Sequence, residues 1–440
     1  MQNGTIEGWG RIKVRGRELR SENLERATER AVLSRGLGRS YGDSSLPPES
    51  VGEVVGTALA DRLLAFDHDT GVLRAEAGLS LLALNRILLP RGWFVPVTPG
   101  TQFVTLGGMV ASDVHGKEHH ARGCFGEHVT RLKMRVADGR VLWCSDAEHD
   151  DLFRATIGGM GLTGHILEVE VRMMRIRTPW ILQESRRIDD IEHFVAALQE
   201  ASHRLPCTMG WIDLLTRGRN MGRGILMAGD FADPERAPKR YPRPLPRVTM
   251  PLELPSWVLN RGSVRAFNSA YYWQHLPREK HGIAHWETFF YPLDAIHHWN
   301  RMYGPRGFTQ YQCVLPDRDA GAAARRILDI LTTRGGASML CVIKNCGPEG
   351  KGMLSFPMKG ISIALDIPVR DDTQALIDAL NEQVIREGGR IYLTKDQFTR
   401  REHFLAMETR LPDFQRVREK WDPSGRIRSA QSVRLFGDRP

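Results

Sequence analysis

The sequence predicts an α+β protein built from two domains of different character. Between residues 30 and 175, short runs rich in Val and Leu alternate with glycine-rich turns, which favours a mixed sheet with few helices. From about residue 181 the pattern changes to strand, helix, strand, which predicts a second domain. After residue 395 we expect the chain to return to the first domain. The predicted boundaries are 1–180 and 181–393, with 394–440 as the returning segment.

The predicted elements of the first domain are short. Residues 72–78 and 166–171 are apolar runs that predict two strands. Three glycine-rich segments accompany them, at 35–43, 99–117 and 158–164. Closely spaced glycines let successive backbone N–H groups point into one concavity, which suits a pyrophosphate. The third segment is also compatible with a plain hairpin, but the three together favour one extended dinucleotide cradle.

The second domain is predicted by alternating strand and helix patterns. A helix is expected within 189–204, because Ile191, Phe194 and Leu198 fall on one helical face. The alternation then repeats with clear glycine stops: strand 308–314, a helix ending at Gly335 and Gly336, strands 338–344 and 361–367, a helix at 371–387 closed by Gly388 and Gly389, and strand 390–393. That order is the split βαβ, or ferredoxin-like, arrangement.

Residues 232–256 form a predicted exposed loop. Its frequent prolines exclude a helix and an inner strand. The densest basic stretch of the chain, from Arg236 to Arg247, lies within it, and the apolar residues Leu252, Leu254 and Trp257 follow. The loop is either a solvated insertion or a mobile cover that meets an anionic membrane or a phosphate.

Composition restricts the partners and the compartment. The chain has 440 residues, 61 basic and 52 acidic side chains and a net charge of +9, which favours anionic partners. Six cysteines without paired Cys-x-x-Cys motifs predict reduced thiols, and the first residues lack a secretory pattern. No apolar run reaches the length of about 18 residues that predicts a membrane span. Nucleic acid is a disfavoured partner, because Tyr241 is the one aromatic residue inside the basic stretch.

Motifs along nearly the whole chain carry a family resemblance. Segments 35–43, 99–128 and 158–164 are similar to the PCMH-type FAD-binding domain of the vanillyl-alcohol oxidase superfamily. The similarity extends further toward the decaprenylphosphoryl ribose oxidase family. The matching motifs are 8–11, 35–43, 115–120, 211–213, 290–294, 299–301, 303–308, 310–312 and 392–396.

The resemblance implies an FAD-dependent oxidation of a secondary sugar hydroxyl. In this family the 2′ hydroxyl of a polyprenylphosphoryl ribose becomes a ketone, and a separate NAD-dependent short-chain reductase completes the epimerisation to the arabinose form. The implied location is cytoplasmic, peripheral at the inner face of the plasma membrane. The alternative is a soluble FAD-linked oxidase of an alditol, an aldonolactone or another sugar alcohol.

The resemblance also implies the residues that bind the cofactor. They are Arg35, Gly36, Leu37, Gly38, Arg39, Ser40, Tyr41, Gly42, Pro99, Gly100, Thr101, Thr105, Gly107, Gly108, Ser112, His115, Gly116, Gly161, Gly164, Ile166 and Tyr392. Many flavoproteins of the superfamily attach FAD through a histidine in the first glycine-rich segment. Arg39 stands at that place here, so we expect FAD to bind noncovalently.

Lys395 is the first candidate catalytic residue, because it follows the last predicted strand in the matched Tyr-x-x-Lys-Asp segment. Its amine could stabilise charge on the flavin, hold the sugar hydroxyl or, with a lowered pKa, act as a base. His115, Gln312 and Lys344 are the other predicted catalytic residues. The competing interpretations are a surface or salt-bridged lysine, a loop histidine without a role, and an ordinary polar surface position.

The predicted substrate-binding residues are Gln310, Gln312, Lys344, Ser362, Ala364 and Lys395. Gln310 and Gln312 share one face of a strand, because side chains alternate with period two. Tyr392 is expected on the same strand as Lys395, where stacking on the ligand and core packing are equally compatible. Ser362 and Ala364 replace an Asn and a Cys that are usual in the family, which leaves the exact sugar open.

We expect no metal site. His119 and His120 are adjacent, as are His297 and His298, and adjacent residues on a strand point to opposite faces. No carboxylate or cysteine at ligand spacing accompanies either pair.

Overall fold

The computed structural model describes residues 4–255, 257–335 and 338–440. Up to residue 175 its elements are short. The strands are β1 Thr5–Glu7, β2 Lys13–Arg15, β3 Arg17–Arg20, β4 Ser34–Arg35, β5 Glu53–Gly56, β6 Leu63–Phe66, β7 Val72–Glu76, β8 Trp93–Phe94, β9 Val129–Arg135, β10 Val141–Cys144, β11 His165–Arg172 and β12 Met174–Arg175. The helices are α1 Leu24–Ala27, α2 Leu81–Leu88, α3 Leu106–Ala111, α4 His119–Arg122 and α5 Asp150–Thr156.

One antiparallel sheet organises this part, in the order β10-β9-β11-β7-β6. The strands predicted at 72–78 and 166–171 are confirmed as β7 and β11. Their inward side chains and one side of helices α2, α3 and α5 form a single apolar core. A smaller sheet pairs β5 in parallel with β3 and β4, and the segment 36–43 follows directly after β4.

From residue 180 the strands are longer. They are β13 Trp180–Ile188, β14 Cys207–Ile212, β15 Gly224–Phe231, β16 Val248–Thr249, β17 Glu279–His285, β18 Ile296–His297, β19 Phe308–Pro316, β20 Cys341–Cys346, β21 Gly360–Pro368 and β22 Arg390–Ile391. The helices are α6 Ile191–Arg204, α7 Arg261–Trp273, α8 Trp286–Phe290, α9 Ala320–Arg334, α10 Thr373–Arg386, α11 Arg401–Met407, α12 Leu411–Trp421 and α13 Ala430–Leu435. Single 3-10 turns lie at Leu89–Arg91, Phe125–His128, Gly218–Asn220, Pro292–Ala295 and Trp299–Tyr303.

Eight strands form one antiparallel sheet in the order β17-β13-β15-β14-β20-β21-β19-β22. The half containing β19 to β22 has the strand order of the predicted ferredoxin-like arrangement, which is confirmed. The half containing β13, β14, β15 and β17 has the same order, so the sheet joins two such units edge to edge through β14 and β20. The sequence did not reveal this repeat.

Helices α6, α9 and α10 cover one face of the large sheet and enclose its main core. Helix α6 starts where predicted, because the Asp190 side chain accepts from the His193 N–H at 3.0 Å and caps the first turn. Helix α7 lies on the opposite face, where Tyr272 packs on Trp211 of β14 and Ile225 of β15. The uncovered part of that opposite face carries the candidate site.

Several local expectations need correction. His119 and His120 lie in a helical turn rather than on a strand, because the chain turns sharply there before Gly123. Tyr392 lies beyond β22, which ends at Ile391. β20 begins three residues later than predicted, and the 232–256 loop contains the edge strand β16. Gly336 and Ser256 lie outside the described residues.

After β22 the chain packs against the first part. The Tyr41 N–H donates to the Thr394 carbonyl at 3.0 Å. Arg434 of α13 forms ion pairs with Asp43 and Asp396, both at 2.8 Å. With the proposed boundaries at 180 and 393, the contacts of Tyr41 and Asp43 join the first domain to the returning segment, and the Arg434–Asp396 pair lies within that segment. None of the described helices is long and apolar enough to cross a lipid bilayer.

Candidate functional site

The predicted substrate residues of the large sheet form one polar patch. Strand alternation places Gln310 and Gln312 of β19, Lys344 of β20, and Ser362 and Ala364 of β21 on the face opposite helices α6, α9 and α10. The antiparallel register puts Gln312 opposite Ala364, and Lys344 opposite Ser362. The structure therefore brings together side chains that are up to 54 residues apart in the sequence.

His115 reaches this patch from the loop after α3. Gln312 Nε2 donates to His115 Nε2 at 2.8 Å, and to Ser362 Oγ at 3.1 Å. Burial, together with the charge of Lys344, lowers the pKa of His115 well below its usual value, so the ring is neutral. Because Nε2 accepts, the proton is assigned to Nδ1, which is buried and has no hydrogen-bond partner among the described residues.

Lys395 enters the site from the segment after β22. Its Nζ lies 3.8 Å from the centroid of the Tyr41 ring, within the range of a cation–π contact. Burial lowers the pKa of Lys395 to about 7, although the Asp366 carboxylate opposes the shift. An amine with such a pKa can accept or release a proton near neutral pH.

Two further buried amines lie near enough to interact electrostatically, Lys344 with Lys395 and Lys117 with Lys344. Burial lowers the pKa of Lys344, and Lys344 in turn lowers the pKa of Lys395. Burial also lowers the pKa of Lys117 to about 8, and its Nζ donates to the Phe290 carbonyl at 3.0 Å. Lys117 is absent from the predicted site residues, although it lies in the matched 115–120 motif.

Asp366 is the second residue that sequence reasoning missed. Its carboxylate is fully buried and accepts from Gln310 Nε2 at 2.6 Å and from the Tyr303 hydroxyl at 3.0 Å. Gln310 Nε2 also lies 3.4 Å from the Tyr41 hydroxyl, which links Asp366 to the ring beneath Lys395. Burial raises the pKa of Asp366 to about 6. The sequence did contain a signal for Asp366, because period-two alternation along β21 places residues 362, 364 and 366 on the same face of the sheet.

The first glycine-rich segment offers backbone donors. The N–H groups of residues 37–40 donate to no acceptor within the described part of the chain. Arg35 lies beneath the segment, where its guanidinium donates to the Glu7 carbonyl at 2.6 Å. Gly38 has φ of 64°, and a Cβ there would clash with that guanidinium. Arg35 thus shapes the segment, and its predicted contact with the cofactor remains a prediction.

The second glycine-rich segment is fixed by polar contacts. Thr101 Oγ1 and the Gln102 N–H donate to Asp294 at 2.7 and 2.8 Å. Thr105 Oγ1 accepts from the Gly108 N–H at 3.2 Å and caps α3. The Glu118 carboxylate accepts from the Thr98 N–H, just before Pro99.

Two aromatic contacts place further predicted residues. The Tyr392 hydroxyl donates to the Ser112 carbonyl at 2.8 Å, and its ring lies 4.8 Å from that of His115. The Arg39 guanidinium lies 4.0 Å from the centroid of the Trp9 ring and 5.0 Å from that of Phe103. Tyr392 therefore supports the loop that presents His115, and Arg39 is held among aromatic rings.

The remaining predicted cofactor residues fall into two groups. Gly100 and Gly161 border open space, since no atom lies within 4 Å of where a Cβ would be. The others are packed against neighbouring atoms, and Ile166 belongs to the apolar core; the packed glycines are Gly36, Gly42, Gly107, Gly116 and Gly164. No group of three or more His, Cys, Asp or Glu side chains in the described ranges could hold a metal ion.

A flavin dinucleotide fits these features. The free N–H groups of residues 37–40 are suitable donors for a pyrophosphate. The buried Nδ1 of His115 lacks an acceptor, which a bound cofactor or substrate would supply. Open space beside Gly100 and Gly161 lets a ligand approach the backbone. The hydrogen bond between His115 and Gln312 then joins the glycine-rich part of the site to the polar patch of the large sheet.

Comparison with known proteins agrees with this assignment. A family model described as an FAD binding domain matches residues 23–145. The chain is 32% identical to the decaprenylphosphoryl-beta-D-ribose oxidase of Mycolicibacterium smegmatis, over 98% of this chain and 97% of that protein. It is 33% identical to an uncharacterised protein of Streptomyces coelicolor, over 81% of this chain and 100% of that protein. A putative D-arabinono-1,4-lactone oxidase of Neurospora crassa is 31% identical over 33% of this chain and 26% of that protein.

These matches confirm the predicted FAD cofactor and the predicted PCMH-type α+β fold. Full-length coverage at this identity extends the relationship beyond the cofactor domain to the large sheet and its polar patch. The chain is therefore a member of the decaprenylphosphoryl-beta-D-ribose oxidase family of FAD-dependent oxidoreductases.

Proposed function

We propose that this protein oxidises the 2′ hydroxyl of a polyprenylphosphoryl ribose to the keto form. The observation that carries the proposal is the convergence of two buried amines, Lys344 and Lys395, on His115, whose ring is held by Gln312. Such a cluster suits a substrate that carries both a phosphate and several hydroxyl groups. The full-length similarity to a protein named for this substrate supports the same choice.

The oxidation removes a hydride from the carbon and a proton from the hydroxyl. Bound FAD supplies the hydride acceptor and gains negative charge as it is reduced. We assign the proton to Lys395, whose pKa of about 7 leaves part of its amine free at neutral pH. The positive charge of the ammonium formed on Nζ then stabilises the new negative charge.

The other residues hold the substrate. Within the described ranges the Nζ of Lys344 donates to no acceptor and joins no ion pair, so it is free to bind a phosphate or hydroxyl oxygen. The Nδ1–H of His115 is a fixed donor because Gln312 holds Nε2. A separate NAD-dependent short-chain reductase would act on the ketone next, and we place both at the cytoplasmic face of the plasma membrane.

The test is the visible flavin absorbance of the purified protein without oxygen. A short-chain prenylphosphoryl ribose should bleach it rapidly, whereas ribose 5-phosphate and free sugars should not. A protein that stays oxidised with the prenyl substrate would contradict the proposal. The same bleaching assay with the arabinose epimer shows whether the protein discriminates between the two configurations at the 2′ carbon.

A second candidate is an oxidase of an alditol or aldonolactone. Ser362 and Ala364 stand where the resemblance implies an Asn and a Cys, which changes the outline of the polar patch, and the putative lactone oxidase of Neurospora crassa is similar to 33% of this chain. The same assay separates the two functions, because a free alditol or aldonolactone would then bleach the flavin and the prenyl substrate would not.

A further inference from the structure

A run of exposed apolar side chains lies between β16 and β17. Trp257 is 74% exposed, Leu252 73%, Leu276 62% and Trp273 55%. Large apolar side chains in this number are unusual on one short segment of a surface, where single exposed ones are ordinary. These side chains point outward because the residues between them supply the buried contacts of the segment.

Helix α7 explains part of this exposure. Val264, Asn268 and Tyr272 recur every four residues and form its buried side. Phe267 and Trp273 then lie outside that stripe and face solvent. The helix is thus apolar on both sides, with Arg265 exposed between them.

The exposed apolar run lies within residues 236–280, which carry most of the excess positive charge of the protein. This stretch contains nine Lys and Arg and two Glu, a net charge of +7 out of the +9 of the whole chain. The exposed basic residues with no ion pair among described residues are Arg236, Lys239, Arg240, Arg243, Arg261 and Arg265. Exposed basic and apolar side chains therefore occur together within this stretch of the chain.

This surface borders the site. Leu259 packs in one cluster with Tyr41 and Tyr303, which lie beside Lys395 and Asp366. Trp211, which α7 covers, is opposite Val342, two residues before Lys344 on the same face of β20. The exposed segment is therefore the rim of the polar patch.

We propose that this rim, the described residues 236–255 and 257–280, docks on an anionic phospholipid bilayer and so presents the site to a substrate held in the membrane. Tryptophan and leucine insert at the headgroup boundary, and Lys and Arg bind anionic headgroups. The need for a membrane-held substrate rests on the proposed function, but the docking itself depends only on the surface.

A bilayer fits this surface better than a protein partner. The described residues of the rim offer six exposed cations without an ion pair and two carboxylates, whereas a protein interface usually has a core depleted of charge. Each Lys or Arg near an anionic surface contributes attraction that salt screens. Binding should therefore require anionic lipid and weaken at high ionic strength.

The test is cosedimentation of the FAD-loaded protein with vesicles of phosphatidylcholine, with and without phosphatidylglycerol. Two variants probe the rim: Leu252→Ser with Trp257→Ser, and Lys239→Glu with Arg265→Glu. Each should lower binding to anionic vesicles at least about tenfold. The matched controls are Leu405→Ser, an exposed leucine on α11, and Arg318→Glu, an exposed arginine before α9, which should bind as the unaltered protein does.

The outcomes separate docking from chemistry. The rim variants should keep the bleaching rate with a short-chain soluble substrate and lose it with a long-chain substrate in vesicles. Equal binding of all variants, or equal binding to neutral and anionic vesicles, overturns the docking proposal. So does a defect that arises only when a reductase is added, which would identify a protein partner. Failure of the soluble substrate to bleach any form overturns the proposed function alone.

Discussion

The pH dependence of flavin reduction should move when Asp366 is neutralised. Asp366→Asn keeps the shape of the side chain but removes the buried negative charge; its Oδ1 can still accept from Gln310 Nε2, and its Nδ2 can donate to the Tyr303 hydroxyl oxygen. That charge favours the ammonium form of Lys395. Without it, the pKa of Lys395 should fall further below its present value of about 7.

The size of the effect follows from the separation of the charges. Contacts of 2.6, 3.4 and 3.8 Å connect Asp366 to Gln310, Gln310 to Tyr41, and Tyr41 to Lys395. If the two charges are taken to be about 8 Å apart, at an effective dielectric constant of about 20, they attract by about 2 kcal/mol, or roughly 1.5 pKa units. Because Asp366 has a raised pKa of about 6 and is not fully ionised throughout, we expect a shift of about one unit.

The assay is the rate of flavin reduction measured by stopped flow between pH 5 and 9, a range of about four units around neutrality. If the free amine of Lys395 takes the hydroxyl proton, the rate rises with pH through the pKa of Lys395. In Asp366→Asn this rise should occur about one unit lower. Asp371→Asn, which neutralises an exposed carboxylate paired with Arg306, serves as the control. An unchanged profile in Asp366→Asn, or a rise at higher pH, would refute the reasoning.

Three further substitutions have definite expected results. Lys395→Ala should retain FAD, measured by absorbance, yet lose turnover, since it removes the proton acceptor; a normal rate would disprove its role. Gly42→Ala should lower the free energy of unfolding by about 3 kcal/mol in urea denaturation, because its Cβ would overlap the Asp396 carbonyl, while Gly282→Ala, in open space, should change little. Arg39→His should not bind FAD covalently, so the flavin should leave the protein on acid precipitation; retained flavin would contradict this.

Some of the fold was predictable because its signals are local. Glycine stops closed the helices that became α9 and α10, and period-two alternation located β19 and β21. The repeat of the β13–β17 unit was hidden, because α7 packs on the opposite face from α9 and α10 and so has a different apolar pattern. Topology of that kind depends on contacts far apart in the sequence.

The candidate site likewise combines features that local sequence patterns predict with contacts that only the tertiary structure reveals. The alternation of Gln310 and Gln312 predicted one face correctly, and the structure confirms their common side. The partners of Asp366 could not be predicted, because its bonds to Tyr303 and Gln310 join residues 63 and 56 positions apart and depend on register. The orphaned Nδ1 of His115 also follows from tertiary packing alone.

The ion pairs of Arg434 set the order in which the site can be completed during synthesis. Asp43 emerges from the ribosome early, but Asp396 and Arg434, which hold its segment beside Lys395, emerge 353 and 391 residues later. The glycine-rich segment must therefore wait, unsupported on one side, until residues past 434 are available. A nascent chain arrested before that point should capture flavin poorly, so cofactor loading is expected to be a late, essentially post-translational event.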